Sequence, residues 1–240
     1  TTAGLCSVGV DVELLGVVPT PAVAYLVRQG GFDAGVMLSA SHNPYEYNGI
    51  KLFGPTGFKL SDREEEEIES IILDHSRPVM LKTGGEIGSI LPAGSQTEDY
   101  IRHICDAAPA GLEGLRLLID CANGSASATA REIFTRLGAQ VELIGDRPNG
   151  ININDRCGST HIQGLQQWVA AGQYDMGVAF DGDADRCLAV DAEGRLVDGD
   201  QIIAILARDL MERGKLKNST AVVTVMSNLG FFRFAKGAGI

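Results

Sequence analysis

Two short stretches of this chain carry residue types that can do chemistry together. The first is Ser39-Ala40-Ser41-His42-Asn43-Pro44, directly after an apolar segment at 34–38 that reads as a strand. In α/β folds, ligands gather at the carboxyl ends of strands. A serine hydroxyl is a weak nucleophile unless a base or a charge activates it, and His42 and Lys51 are nearby candidates for that task. Taken alone, the loop reads first as a polar turn closed by Pro44. The second stretch is Asp181-Gly182-Asp183-Ala184-Asp185-Arg186, after an apolar segment at 176–180. Carboxylates at i, i+2 and i+4 in a tight loop can converge on one hard cation, and oxygen ligands favour Mg²⁺ or Ca²⁺ over zinc. A solvated acidic turn is the plain alternative, but three carboxylates at a strand end are costly unless something neutralises them. An EF-hand is excluded, because Arg186 stands where glycine is required and Ala192 where glutamate is required. An aspartyl phosphatase using Asp181 as nucleophile stays open, although Asp185 occupies a position where such enzymes usually have Thr or Val. Arg186 can hold phosphoryl oxygens in its planar fork or pair with the neighbouring carboxylates.

The elements that must position these loops follow from the pattern. Strand and helix alternate, which predicts α/β layers. Val17-Val18 reads as the end of a short strand and Thr20-Pro21 as a helix cap and first turn, with the helix stopping at Gly30-Gly31. Ser61 and Glu64 form a capping box for a helix with an acidic, solvated face. Residues 76–96 are rich in Gly and Pro and mark a domain boundary. Beyond it, helices are expected at 96–107, 125–137 and 162–171, and strands at 115–120, 140–144 and 176–180. Together these form the β-then-α repeat of a parallel sheet. A hairpin turns at 191–194, Asp200 caps the following helix, a strand is expected at 221–225 and a helix starts at Leu229. The fold class is α/β: consecutive three-layer αβα domains with mixed, mostly parallel sheets. The expected domains are 1–90, 91–197 and the opening of a third at 198–240.

Composition narrows the function classes. The chain has 240 residues, 45% of them hydrophobic and 21% charged, with a formal charge of −11. An acidic surface argues against nucleic-acid binding. No apolar run is long enough for a membrane span. The five cysteines are scattered and form no CxxC pair, which favours free thiols in a cytoplasmic setting.

Taken as a pair, the two loops resemble the α-D-phosphohexomutase superfamily. The resemblance rests on SASHNP with Asn48-Gly49-Ile50-Lys51, followed at the end of a second-domain strand by DGDADR. Residues 148–154 (PNGININ), 157–161 (CGSTH), 197–200 (VDGD) and 225–230 (VMSNLG) are similar to the bacterial phosphoglucosamine mutase branch. Ala184 departs from it, since that branch usually has glycine there. The resemblance implies that Ser41 carries a phosphoryl group and that Asp181, Asp183 and Asp185 bind Mg²⁺ together with phospho-Ser41. It gives Lys51, and secondarily His42, the proton transfer. The implied reaction interconverts glucosamine 6-phosphate and 1-phosphate through a bisphosphate, with phosphomannomutase/phosphoglucomutase activity as the nearest alternative. A non-enzymatic metal-binding module is the more distant one. The implied partner is a hexosamine phosphate, with no nucleic acid and no membrane; a homodimer is compatible with the chain.

Family members have four domains, and the resemblance implies that this chain is a fragment covering most of the first, the second and the start of the third. The sugar-recognition loop of GExSG type does not occur in it. Binding energy from the remote phosphate is normally used for orientation. The 240-residue chain by itself is therefore expected to show little or no mutase turnover in a coupled glucosamine-phosphate assay. Parent-like rates would refute this.

Overall fold

The structure, a computed structural model, describes residues 1–92 and 94–240; Ala93, within the expected boundary stretch 76–96, lies outside the described residues. The first unit opens with α1 (Thr2–Ser7), β1 (Val12–Glu13) and α2 (Thr20–Gly30). Gly31 ends α2 in the left-handed conformation, at φ 68°, as the paired glycines imply. β2 (Gly35–Ser39) and β3 (Gly49–Phe53) pair antiparallel, with Met37 opposite Lys51 and Ser39 opposite Gly49. α3 (Asp62–Leu73) starts at the reciprocal Ser61–Glu64 capping box and buries none of its residues. β4 (Ile90–Leu91) returns to pair in parallel with β1.

α4 (Gln96–Ala107) binds this unit to the next. Its Tyr100 enters the first core, among Val18, Val23, Leu26, Val27 and Phe53. His103 stacks on Tyr25 of α2 at 3.9 Å. Its other side meets the second unit, where Arg136 grips Glu98 with two parallel bonds of 2.6 and 2.8 Å.

The second unit comprises β5 (Arg116–Asp120), α5 (Ala130–Arg136), β6 (Gln140–Ile144), α6 (Gln163–Ala171), β7 (Met176–Phe180), β8 (Cys187–Asp191) and β9 (Leu196–Val197). The sheet order is β6-β5-β7-β8-β9. β5 is parallel to both β6 and β7, while β8 and β9 run antiparallel as the expected hairpin. Alternation along β5 makes three layers. Leu117 and Ile119 face Ala126, Ala130 and Ala139, whereas Leu118 faces Leu165, Val169 and Val190. α7 (Gly199–Glu212) and α8 (Leu229–Ala238) then pack on each other. The α/β fold with mixed sheets is the one the pattern predicts, but the sheets are not mostly parallel: β2–β3, β7–β8 and β8–β9 pair antiparallel, against parallel β1–β4, β5–β6 and β5–β7. All five cysteines are free. No helix among the described residues is long and apolar enough to cross a membrane.

Four local expectations differ from the structure. Val17-Val18 is not a strand; Val18 is a core residue leading into α2. The helix expected over 125–137 is split into a 3-10 turn (Ser125–Ala128) and α5 at Thr129, whose φ of −128° leaves the helical region; the N–H of Ser125, free at the start of the turn, bonds the carbonyl of Gly182 at 2.8 Å. α7 is capped by Asp198 in a box with Gln201, while Asp200 accepts from the backbone N–H of Asn228 at 2.7 Å. Residues 221–225 form no strand: Val222 and Val225 are over nine-tenths exposed, and no strand among the described residues pairs with them. Without a partner, the ladder that would satisfy an extended backbone does not form.

β5 is the hub of the sheet, and Leu118 on it is 1% exposed. Leu118→Ala should cost about 3 kcal/mol in urea unfolding, from lost burial plus a cavity. A cost below about 1 kcal/mol would show that β5 is not the centre of the core.

Candidate metal centre and serine loop

The acidic loop is a tight reversal between β7 and β8, where Phe180 pairs with Cys187 and the N–H of Ala184 closes on the carbonyl of Asp181 at 3.0 Å. The reversal puts Ala184 at φ 54°, in the left-handed region that L-residues other than Gly and Asn enter at a cost. Asp181 and Asp183 are completely buried and Asp185 is exposed, yet one oxygen of each lies within 4.8 Å of the others.

The first unit supplies the groups that meet these carboxylates. Thr20 donates its hydroxyl to Asp183 Oδ2 at 2.9 Å, and its backbone N–H donates to the Asp183 carbonyl at 2.9 Å. The threonine expected to cap its own helix therefore makes no side-chain cap and bonds the acidic loop instead. Lys51 projects from β3 and pairs through Nζ with Asp183 Oδ2, and with Asp185 Oδ2 at 3.1 Å.

Ser41 sits just past β2, at φ 55°, with its N–H bonded to Ser39 Oγ at 2.8 Å. Its hydroxyl accepts from a terminal guanidinium nitrogen of Arg186 at 3.2 Å, and the same nitrogen lies 2.8 Å from His42 Nδ1. A guanidinium only donates, so Nδ1 is the acceptor. Arg186 also lies 3.4 Å from Asp181 Oδ2 and 3.6 Å from Asp185 Oδ1 through Nε. Both readings of Arg186 from sequence, phosphoryl fork and carboxylate partner, thus describe the same side chain. Lys51 meets the carboxylates, and among the described contacts neither it nor His42 hydrogen-bonds the Ser41 hydroxyl directly.

The electrostatics are unbalanced. Three carboxylates face two cationic side chains, which leaves one negative charge in excess. Burial and the neighbouring Asp183 charge push the Asp181 carboxyl up to about 6, against the backbone N–H of Arg186. Burial also works to raise Asp183, but hydrogen bonds from Lys51 and Thr20 outweigh it and hold that carboxyl below its ordinary value. For Lys51, burial favours loss of the proton, while Asp183 and Asp185 more than reverse this, so its ammonium is held more firmly than usual. Asp181 Oδ2 and Asp183 Oδ1 are buried without a hydrogen-bond partner; the Arg186 Nε contact at 3.4 Å is an ion pair but not a hydrogen bond. Orphaned carboxylate oxygens, an all-oxygen donor set and one surplus negative charge fit a hard divalent cation.

Two residues at this site have no chemical signature in the sequence. Thr20 looks like an ordinary cap. Asn154 lies in a polar loop, yet it reaches the Ser41 loop with its side-chain amide. A Thr-Pro pair and a lone Asn are common turn chemistry, and only contacts more than 100 residues distant in sequence give them this role.

Family models for the phosphoglucomutase/phosphomannomutase α/β/α domains I, II and III match residues 1–78, 98–194 and 198–240. The phosphoglucosamine mutase of Pelotomaculum thermopropionicum is 54% identical over 238 residues, which cover 99% of this chain and 54% of that protein. The chain thus spans about half the length of the curated relatives it matches. Among solved structures, a phosphoglucomutase/phosphomannomutase family protein from Burkholderia thailandensis superposes with a TM-score of 0.73 at 27% identity, covering 88% of this chain and 46% of that one. The N-acetylphosphoglucosamine mutase of Aspergillus fumigatus, solved with GlcNAc-6P and magnesium, shares the fold at a TM-score of 0.56 and 21% identity, over 91% of this chain and 55% of that one.

The raised Asp181 carboxyl sets a pH dependence. Its folded value of about 6 lies above that of an unfolded aspartate. Between the two the folded chain binds more protons, so cation-free stability falls as pH rises through this window and levels off above it. A cation that binds only the folded, ionised loop at one hundred times its dissociation constant adds about 2.7 kcal/mol. At pH 7.5, Mg²⁺ should therefore raise the melting temperature by roughly 5–10 °C, and by much less at pH 5. Asp181→Asn should abolish both the Mg²⁺ effect and the fall with pH. A wild-type melting curve indifferent to Mg²⁺ at pH 7.5 would count against a metal centre here.

Proposed function

The chain belongs to the phosphoglucomutase/phosphomannomutase family, and from that premise we propose that it holds the phosphoryl-transfer half of a phosphoglucosamine mutase. The observation that carries this reading is the Ser41 hydroxyl, held by Arg186, which in turn touches a buried carboxylate cluster with charge to spare. The 54% identity to a phosphoglucosamine mutase supports glucosamine 6-phosphate and glucosamine 1-phosphate as the substrates. Phosphomannomutase/phosphoglucomutase activity is the competing reading, supported by the family models and by the Burkholderia relative.

In this reading the serine is the carrier. Phospho-Ser41 gives its phosphoryl group to a free sugar hydroxyl: the Oγ–P bond breaks, an O–P bond forms to the sugar, and the proton of the sugar hydroxyl ends on Ser41 Oγ. The resulting bisphosphate turns over and returns its other phosphate to the serine. Asp181, Asp183 and Asp185, with an oxygen of phospho-Ser41, would hold Mg²⁺, which would supply neutralising charge for the transfer. Arg186 orients the serine oxygen and is placed to grip the phosphoryl oxygens. Lys51 is proposed for proton transfer. The carboxylates keep its ammonium protonated, so it would act as a relay, giving a proton to the departing oxygen and taking back the one that the attacking hydroxyl releases. His42, bonded to Arg186, steadies that side chain and is the second candidate for proton transfer. Expected domain limits at 1–90, 91–197 and 198–240, a cytoplasmic setting and a homodimer belong to the same reading.

Intact-mass spectrometry tests it. Incubated with glucose 1,6-bisphosphate and Mg²⁺, the chain should gain about 80 Da at Ser41, the mass of one phosphoryl group. Ser41→Ala should gain nothing, and the adduct should survive hydroxylamine. A hydroxylamine-labile adduct at Asp181 would instead mark an aspartyl phosphatase, a role that the complete burial of Asp181 disfavours. Absence of any adduct would leave only the metal-binding module.

A further inference from the structure

Asn154 is 6% exposed, in the loop after β6, and holds the left-handed conformation at φ 58°. Its backbone N–H donates to the carbonyl of Ala122 at 2.8 Å, which anchors it to the end of β5. Its side-chain nitrogen crosses to the first unit and donates to two carbonyls, those of Ser41 and Asn43, each at 2.9 Å. Its Oδ1 is buried and has no partner among the described residues. Two acceptors require a group with two N–H bonds, so the amide orientation is unambiguous and a carboxylate cannot substitute for it. Gly182 of the acidic loop is pressed against this contact: a Cβ there would meet the Ser41 carbonyl, Ile153 and the Asn154 side-chain nitrogen. Ser41 itself holds a backbone conformation that a non-glycine residue keeps only where its surroundings impose it.

The geometry points to Asn154 as a positioning residue for phosphoryl transfer at Ser41; this rests on the proposed function above. By tying down the carbonyls on either side of His42, Asn154 fixes the turn from which the hydroxyl projects toward Arg186 and the carboxylates. It touches neither the hydroxyl nor any carboxylate, so its effect passes through the loop backbone.

Two variants test this. Asn154→Asp turns a donor toward neither carbonyl and adds a repelling charge. Asn154→Gly keeps the left-handed backbone and removes the side chain. In both, amide hydrogen exchange over residues 40–44 should quicken by about tenfold or more while β5 and β7 stay protected. Mg²⁺ affinity measured by calorimetry should be unchanged. Phosphorylation of Ser41 by glucose 1,6-bisphosphate should slow by about a hundredfold, the scale of a misplacement near 1 Å. In that step the sugar O–P bond breaks, the bond to Ser41 Oγ forms and the serine proton passes to the sugar oxygen. Folded variants phosphorylated at the wild-type rate, or with unchanged exchange over 40–44, would overturn the assignment. So would loss of folding in both variants, which would make Asn154 a folding residue. If the wild-type chain takes up no phosphate, the functional reading itself falls, and this role with it; a phosphorylated wild type with unaffected variants removes the role alone.

Discussion

The arrangement depends on one electrostatic problem: two aspartates, Asp181 and Asp183, lie with no exposure to solvent at the end of a strand. Removing ionised carboxylates from water is expensive unless they are paired and hydrogen-bonded. Each unusual contact around the loop answers part of that cost. Lys51 and the Thr20 hydroxyl address Asp183, and Arg186 with its own backbone N–H addresses Asp181. The answer is incomplete, with an orphan oxygen left on each of the two. That incompleteness leaves oxygens that could take a cation, which a closed salt bridge would not.

The same requirement explains why two units are needed. Lys51 and Thr20 come from the first unit and the carboxylates from the second. Lys51 lies at the middle of β3, Thr20 opens α2 and the carboxylates follow the end of β7, so rigid elements fix their positions. β3 is held in register by β2, with Met37 opposite Lys51, and β7 is held between β5 and β8. Ser41 leaves the end of β2, and thus the serine and the lysine share one hairpin. Asp120, buried at the end of β5, ties the turn after that strand to the loop before α6. Its carboxylate accepts from the N–H groups of Ala122 and Gly158 at 2.9 and 2.7 Å, although burial raises its pKa and opposes the charge.

Much of this was legible in the sequence where the signal is local. The capping box at Ser61, the glycine stop of α2, the β-then-α rhythm and the i, i+2, i+4 carboxylates each follow from neighbours a few residues away. What was misread depends on distant partners. Thr20 has the sequence of a cap, but a carboxylate 163 residues later takes its hydroxyl. Residues 221–225 have the apolar content of a strand, but strand formation needs a neighbour, and none of the described residues supplies one. The break at Thr129 within the expected helix 125–137, at φ −128°, has no local breaker residue to announce it. Ala184 is the converse case. The left-handed φ of 54° gives a physical reason for glycine being usual there, and here the tight turn holds alanine in that conformation.

The Thr20–Asp183 contact has a consequence for the order of assembly. Its partners are 163 residues apart and sit in units with separate hydrophobic cores. Closing so long a loop becomes entropically cheap only after each unit has collapsed around its own core. The charge cluster must therefore come together late, as two formed surfaces dock, with α4 already seated against α2 through Tyr100 and His103. Until that moment Asp181 and Asp183 keep their hydration, and the electrostatic penalty of the site is deferred to the final step of folding.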